Sequence, residues 1–374
     1  MKGALQATWV ARVPARVLAR VLVPTLALTA VSCGGGSGSS DATSGGPSTA
    51  VGAGTLAVLI AQGDATSEAI GLAYQKARGI PDSHVIRLAV PAGNDVIGDA
   101  AFTALKAALD ARLTPEVQAT LVTWMQPSRV QGSCTMSLTS ALTFGYSAAW
   151  CGGCKATQAS GYFNHATRTP FTTLGIRPSM MLGAATLAEA QALVARGVAA
   201  DASLAGGAAA GQGWLLRTSD PTRSVRYSDF LQLAAASTTG ITWHYVDNAS
   251  ASGSDIVAGQ SDVMFYFTGL QSVPQINTNT YRPGAVADAL TSFGGVLPSG
   301  NGQMPATAWL QAGATASYGT VEEPCNFTEK FPQASVLVNH YQRGETLIEA
   351  YWKSVQWPGE GLFLGEPLAH PWAR

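Results

Sequence analysis

Ten apolar runs, each a few residues long and closed by turn residues, recur along the chain with helix-period segments between them. They are "TLAVLIA" at Thr55, "HVIRLAV" at His84, "ATLVTWM" at Ala119, "PSMMLGA" at Pro178, "GWLLRT" at Gly213, "ITWHYV" at Ile241, "SDVMFYF" at Ser261, "GAVADALTSF" at Gly284, "GATASYG" at Gly313 and "GLFLG" at Gly361. Runs of this length and bounding read as buried strands, some of them edge pieces. Between them, "TLAEAQALVARGVAAD" pairs Thr186 with Glu189 as a capping box and lines up Leu187, Ala190, Leu193, Val194 and Val198 on one face. "TLIEAYWKSV" repeats the logic, with Thr346 and Glu349 as the box and Ile348, Tyr351, Trp352 and Val355 as the apolar face. Phe102, Leu105, Leu109 and Leu113 make a third stripe. Strands alternating with helices call for an α/β fold with a mainly parallel sheet and helices on both faces, because each crossover must return to the same edge direction.

Residues 126–173 break this rhythm. They are rich in Ser, Thr, Gly, Cys and aromatics with little periodicity, and read as a long cysteine-containing loop over the sheet's rim, where α/β proteins place function. No internal repeat is evident. The remainder, residues 55–374, is long enough for one sizeable core and reads as a single α/β domain.

The N-terminus is of another kind. Residues 1–33 carry Lys2, Arg12, Arg16 and Arg20, no acid, and an apolar run over 21–31 that is too short to span a bilayer. This is the pattern of an export signal. It ends in "AVSC", similar to a bacterial lipobox, in which cleavage leaves a lipid-bearing cysteine, here Cys33, at the mature N-terminus. Residues 34–54, rich in Gly and Ser, cannot bury a core and read as a flexible tether. The expectation is an exported protein held to the cell envelope through lipid, in the outer membrane because Gly34 rather than an acid follows the cysteine.

Removing the signal takes four of the 22 basic residues and none of the 23 acidic ones, leaving a mature charge of −5. With no basic stripe interleaved with aromatics, nucleic acid is disfavoured as a partner. Charged residues are only 12% of the chain, so the surface must rely on Ser, Thr, Gln and Asn.

Four cysteines remain after Cys33: Cys134, Cys151, Cys154 and Cys325. In an exported chain disulfides are the first expectation, within the loop or from it to Cys325, with the pairing open. "CGGC" at Cys151 leaves redox or metal chemistry as alternatives, His165 being the nearest further zinc ligand. The histidines show no metal-ligand spacing, and no H-E-x-x-H or G-x-S-x-G occurs. "LIAQGDATSE" after the first strand has one glycine where a dinucleotide fingerprint needs three, so a nucleotide cofactor is unsupported. Near the C-terminus, "GATASYGTVEEPC" sets Glu322 and Glu323 where a strand emerges, next to the strand that ends at Ser292. Adjacent carboxylates point different ways on an extended segment, so the expectation is Glu323 facing a crevice, held by donors, and Glu322 solvated.

These residues also carry a resemblance. "SEAIGLAYQKARGIPDSHVIRLAVP", "RPGAVADALTSFGG", "WLQAGATASYGTVEEP" and "GLFLGEPLAHPW" are similar to blocks of an uncharacterised exported bacterial family, found chiefly where the PEP-CTERM/exosortase sorting system occurs. The last block has Glu366 where the usual pattern is Gly-Asp-Pro-Leu. A more distant likeness is to caspase and gingipain type peptidases, whose sheet presents His after one strand and Cys after the next. Here "FYFTGL" and "LTSFGG" put Thr268 near the expected histidine and Ser292 near the expected cysteine, so the usual activation of the nucleophile is missing.

Three functions are consistent with these residues. One is a lipid-anchored, non-peptidase domain on a caspase-like scaffold that binds a peptide, a glycan or an envelope protein at the strand-end rim. The second is a cell-envelope hydrolase using Ser292, Cys325 or Glu323, with Thr268 a further catalytic candidate at the same rim. The third is a metal or redox protein using the Cys134, Cys151 and Cys154 loop.

Overall fold

Strands whose residues are apolar without alternation must be covered on both faces, which a parallel sheet between helices provides. The computed structural model describes residues 50–236 and 240–374. The signal segment expected over 1–33, with Cys33, and the tether up to residue 49 lie outside the described residues. Residues 50–54 belong to the fold rather than to a tether: Val51 is buried and its N–H donates to the Arg168 carbonyl. The described residues form one compact unit.

In chain order the elements are β1 (Leu56–Ala61), α1 (Ala65–Arg78), β2 (Val85–Leu88), β3 (Val96–Gly98), α2 (Asp99–Asp110), β4 (Ala119–Val122), β5 (Arg129–Gln131), β6 (Thr135–Ser137) and α3 (Leu138–Phe144). Then come α4 (Pro170–Leu174), β7 (Ser179–Met181), α5 (Leu187–Ala200), β8 (Gly211–Arg217), α6 (Tyr227–Ala235), β9 (Ile241–Asp247), β10 (Val263–Thr268) and β11 (Tyr281–Ala289). The chain closes with α7 (Thr307–Ala312), β12 (Ala316–Thr320), α8 (Ala334–Gln342), α9 (Leu347–Ser354) and β13 (Gly361–Gly365). The ten apolar runs are the ten strands of one sheet, in the order β2-β1-β4-β7-β13-β12-β11-β10-β8-β9. The pairing is mostly parallel, as in Val58 beside Leu121 across β1 and β4, while β13 is antiparallel to β12 and meets β7 at the single pair Leu364 and Met181. The edge strands β2 and β9 are only half-buried.

Alternate residues of one strand serve two cores, which is why helices cover both faces. On β10, Phe265 and Phe267 join the main cluster with Phe230 of α6, Leu337 of α8 and Tyr351 of α9. Tyr266, between them, turns to a second cluster with Leu216 and meets Trp309 of α7 edge-on, ring centres 5.0 Å apart.

On α5, Thr186 Oγ1 accepts from Glu189 N, but the Glu189 carboxylate turns to Ala185 N, so the box is half closed. Ala190, Leu193 and Val194 are buried, whereas Leu187 and Val198 at the helix ends are exposed. The box of α9 closes on Glu349, which accepts from Thr346 N and Thr346 Oγ1, both at 2.8 Å, and every residue of α9 is buried.

The stretch over 126–173 is more structured than a rim loop. Besides the disulfide-bearing loop it supplies β5 and β6, which pair with β3 as a small separate sheet, and α3, which packs on β7 and β13. The hydroxyls that made α3 look like loop are consumed internally: Ser140 Oγ donates to Pro358 O at 2.6 Å and Thr143 Oγ1 to Thr139 O at 2.8 Å. A buried helix can be polar in composition when each hydroxyl has such an acceptor.

Candidate functional site

Strand order decides where a crevice opens. β1 crosses over to β2 on one side and β4 to β7 on the other, so the carboxyl ends of β1 and β4 form a topological switch point. A cavity of about 340 Å³ lies there, lined by Asp64, Thr66 and Ser67 after β1, Thr123, Trp124, Met125 and Gln126 after β4, Ala184 and Ala185 after β7, and Pro298 from beyond β11.

Its walls follow from "QGDATSE". Gly63, at φ +84°, makes the turn out of β1 that a side chain would strain. Asp64 then caps α1, its Oδ1 accepting from Thr66 N at 2.8 Å and Ser67 N at 3.0 Å. Ser67 Oγ accepts from Ala61 N at 2.9 Å and lies 2.7 Å from Thr123 Oγ1, which donates to Leu59 O. These two buried hydroxyls therefore lock α1 to the ends of β1 and β4. Trp124 is 3% exposed, and its indole N–H has no acceptor among the described residues. A buried donor left unpaired costs about 1–3 kcal/mol, so an unpartnered one on a residue that lines a cavity points to a place for an acceptor. The lining holds one carboxylate, no Lys, Arg or His, and an α1 terminus already occupied by Asp64, so the site does not favour an anion.

A second switch point lies between β8 and β10, since β9 and β10 flank β8. It is plugged by the protein. Thr218 Oγ1 donates to Gly269 O at 2.7 Å, Arg226 Nη2 donates to Thr268 O at 2.7 Å, and a Cβ on Gly269 would strike the Arg223 carbonyl.

This second rim is where sequence placed the chemistry. Thr268 ends β10, 1% exposed, with its hydroxyl unpartnered; Ser292 follows β11, 9% exposed, its carbonyl accepting from Thr320 Oγ1. Arg226 and Asp288 form a buried ion pair at 2.7 Å beneath them, and burial raises the Asp288 carboxyl above its usual range despite the guanidinium. Among the described residues no hydrogen bond joins Thr268, Ser292 or Glu323 to one another. Glu323 and Glu322 are both half-buried, so burial does not separate them as expected; both lie beside Gly153 of the cysteine loop. Glu323 does find a backbone donor, its Oε1 accepting from Cys325 N at 2.9 Å.

The cysteines pair outward. Cys134 joins Cys151 and Cys154 joins Cys325, with Cα separations of 5.8 and 5.0 Å. The two cysteines of "CGGC" are thus not partners, and Cys325 is committed to a disulfide rather than free as a nucleophile. The glycines between them are clamped: Gly152 N and Gly153 N donate to Glu360 Oε1 at 2.8 and 2.7 Å, and Lys330 Nζ reaches both Gly153 O and Glu360 Oε2. Lys330 and Glu360 are each 1% exposed. Burial raises the Glu360 carboxyl above its ordinary range, against the pull of Lys330 and the two amides. His165 has no part in this; its Nδ1 accepts from Thr167 N.

At the opposite end of the fold, residues from distant blocks meet. Glu366 Oε1 accepts from Tyr74 OH at 2.7 Å and Arg78 Nε at 3.0 Å, Oε2 accepts from Arg78 Nη2, and Arg78 also pairs with Asp201, which meets His370 at 3.1 Å. Burial works against the Arg78 charge, but Glu366 and Asp201 outweigh it and hold the guanidinium more firmly protonated than usual. This cluster ties α1, the end of α5 and the C-terminal segment together. A larger concavity, about 600 Å³ between α1 and α5, is apolar and sits on helix flanks away from any strand end. The switch-point crevice, smaller but polar and placed where this topology opens, is the better candidate.

Sequence reasoning passed over Asp64 and Trp124. The available signal was Asp-Ala-Thr-Ser directly after the first strand, an N-cap at the mouth of a parallel sheet. No family model, no curated protein and no solved structure matches this chain.

Proposed function

We propose that this chain is an exported, lipid-anchored binding protein, not a peptidase, that takes a neutral polyhydroxylated ligand, a glycan unit, in the crevice between β1 and β4. The observation that carries the reading is Trp124, which lines the crevice and whose buried indole N–H has no acceptor among the described residues. A sugar hydroxyl accepts that hydrogen bond and donates in turn to Asp64, with Thr66 and Gln126 as further polar partners at the mouth. The absence of a cation in the lining argues against an anionic ligand. Binding is favoured over hydrolysis because Ser67 and Thr123 spend their hydroxyls on backbone groups and a single carboxylate lines the site. The basic and apolar leader, "AVSC" and the Gly/Ser tether support display at the cell envelope, where glycans are abundant. Among the described residues no helix is long and apolar enough to cross a membrane. A glycan panel that includes peptidoglycan and exopolysaccharide fragments, followed by calorimetry, tests the proposal. Trp124→Phe keeps the ring and removes the donor, so it should weaken binding by roughly 3- to 10-fold, the worth of one neutral hydrogen bond. No binder, or a binder indifferent to both Trp124→Phe and Asp64→Asn, refutes it.

A further inference from the structure

The disulfide between Cys154 and Cys325 lies beside a third potential ligand. One carboxylate oxygen of Glu323 and the two sulfurs lie within 4.8 Å of one another. Cys154 is exposed, whereas Cys151 of the other disulfide is 1% exposed, so a dithiol reductant reaches the first bond far more readily than the second. The backbone around the first bond is held by other contacts as well. Cys154 follows glycines whose amides are held by the buried Glu360, itself paired with Lys330, and Cys325 is held by its own N–H on Glu323 Oε1. Opening the bond therefore leaves both sulfurs facing each other with the carboxylate alongside.

We propose that Cys154, Cys325 and Glu323 form a redox-gated site for a thiophilic cation such as Zn²⁺, closed to metal as the disulfide and opened by an envelope dithiol. In the opening step the dithiol's thiolate attacks one sulfur of the Cys154–Cys325 bond, and its second thiol completes the exchange. Two electrons and two protons pass to the cysteines, and the reductant leaves as its own disulfide. Zn²⁺ then binds two thiolates and one carboxylate, displacing the two thiol protons, with water as the fourth ligand of a tetrahedron.

The test uses the exported, folded chain, reduced by a limiting dithiol, desalted without oxygen and titrated with Zn²⁺ against a coloured chelator. The expected result is one equivalent bound by the reduced chain and none by the oxidised chain. Co²⁺ in place of Zn²⁺ should give a thiolate charge-transfer band. Glu323→Gln should bind more than about tenfold more weakly, a loss as large as removal of even an outer partner of a zinc ligand can cause. The double variant Cys134→Ser/Cys151→Ser should keep the site, and its circular dichroism reports whether it folds. Equal zinc binding by oxidised and reduced chains, no binding after selective reduction, or an undiminished affinity in Glu323→Gln would each overturn the proposal.

Discussion

Replacing Arg78 by Met should be among the most damaging single changes in this protein, and the reason lies with its partner. Glu366 is fully buried and Arg78 is 6% exposed, so the pair was desolvated together on folding. Glu366 receives two hydrogen bonds from the guanidinium and one from Tyr74 OH. With Met at 78 the carboxylate keeps only the tyrosine and a long contact of 3.4 Å from Leu368 N. An uncompensated buried charge costs about 3–5 kcal/mol. Glu366→Gln should cost less, about 1–3 kcal/mol, because Arg78 retains Asp201 and the amide still accepts from Tyr74. Because the two residues share one interaction, the double variant should be less destabilised than the sum of the singles by more than about 1 kcal/mol. Gly197→Ala probes the same spot from α5, since a Cβ there would press on the Glu366 carboxylate. Urea unfolding followed by far-ultraviolet circular dichroism measures each value, with an unchanged slope showing that midpoint shifts report stability. A cost below about 1 kcal/mol for Arg78→Met, or additive singles, would refute the argument that this pair locks the ends of the chain together.

The His370 and Asp201 pair should make stability depend on pH. The Asp201 carboxylate, as acceptor for the imidazole N–H, raises the His370 pKa above its ordinary value of 6.5, so the contribution is complete below that value and fades as pH rises through the raised one. Asp201 is held below its ordinary range, burial opposing but His370 and Arg78 prevailing, so its share is lost only on acidification. His370→Asn should therefore cost up to about 1 kcal/mol near pH 5.5 and close to nothing near pH 8.5, a modest figure because the pair is a third exposed. Glu323→Ala should cost about 0.5–1.5 kcal/mol through the lost acceptor for Cys325 N–H, and Glu322→Ala less than about 0.5, both read from thermal or urea midpoints. Thiol counting in denaturant without reductant should find none of Cys134, Cys151, Cys154 and Cys325 free; four titrating thiols in correctly exported protein would contradict the pairing. Cys33→Ala should abolish incorporation of labelled fatty acid and release the protein from the envelope fraction.

The ten strands of the large sheet were legible in the chain, the inner ones because a strand buried on both faces has to be apolar at nearly every position and has to end at a turn, whereas the short β3, β5 and β6 were not. "TLAVLIA" and "SDVMFYF" admit little else. The capping pair of α9 was legible for a similar reason, its partners being three residues apart. What was hidden depended on residues far apart in sequence. Leu138 to Phe144 read as loop because its serines and threonines bond carbonyls some 220 positions away, which no local window reveals. The sequence shows no internal repeat, yet the two flanks of the sheet wind alike, β2-β1-β4-β7 and β9-β8-β10-β11-β12, and only the assembled sheet shows it. Chemistry was sought at the rim of β10 and β11 since "FYFTGL" and "LTSFGG" drew attention there, but Arg226, Thr218 and Gly269 close that switch point and leave its twin beside β1 open. Likewise, composition and compartment could expect disulfides, while the choice of Cys134 with Cys151 and Cys154 with Cys325 waited on the clamp of Lys330 and Glu360 that turns the loop. Burial and periodicity are local properties that each segment carries with it; which strand end stays open, and which side chains meet there, is a property of the order in which the segments pack.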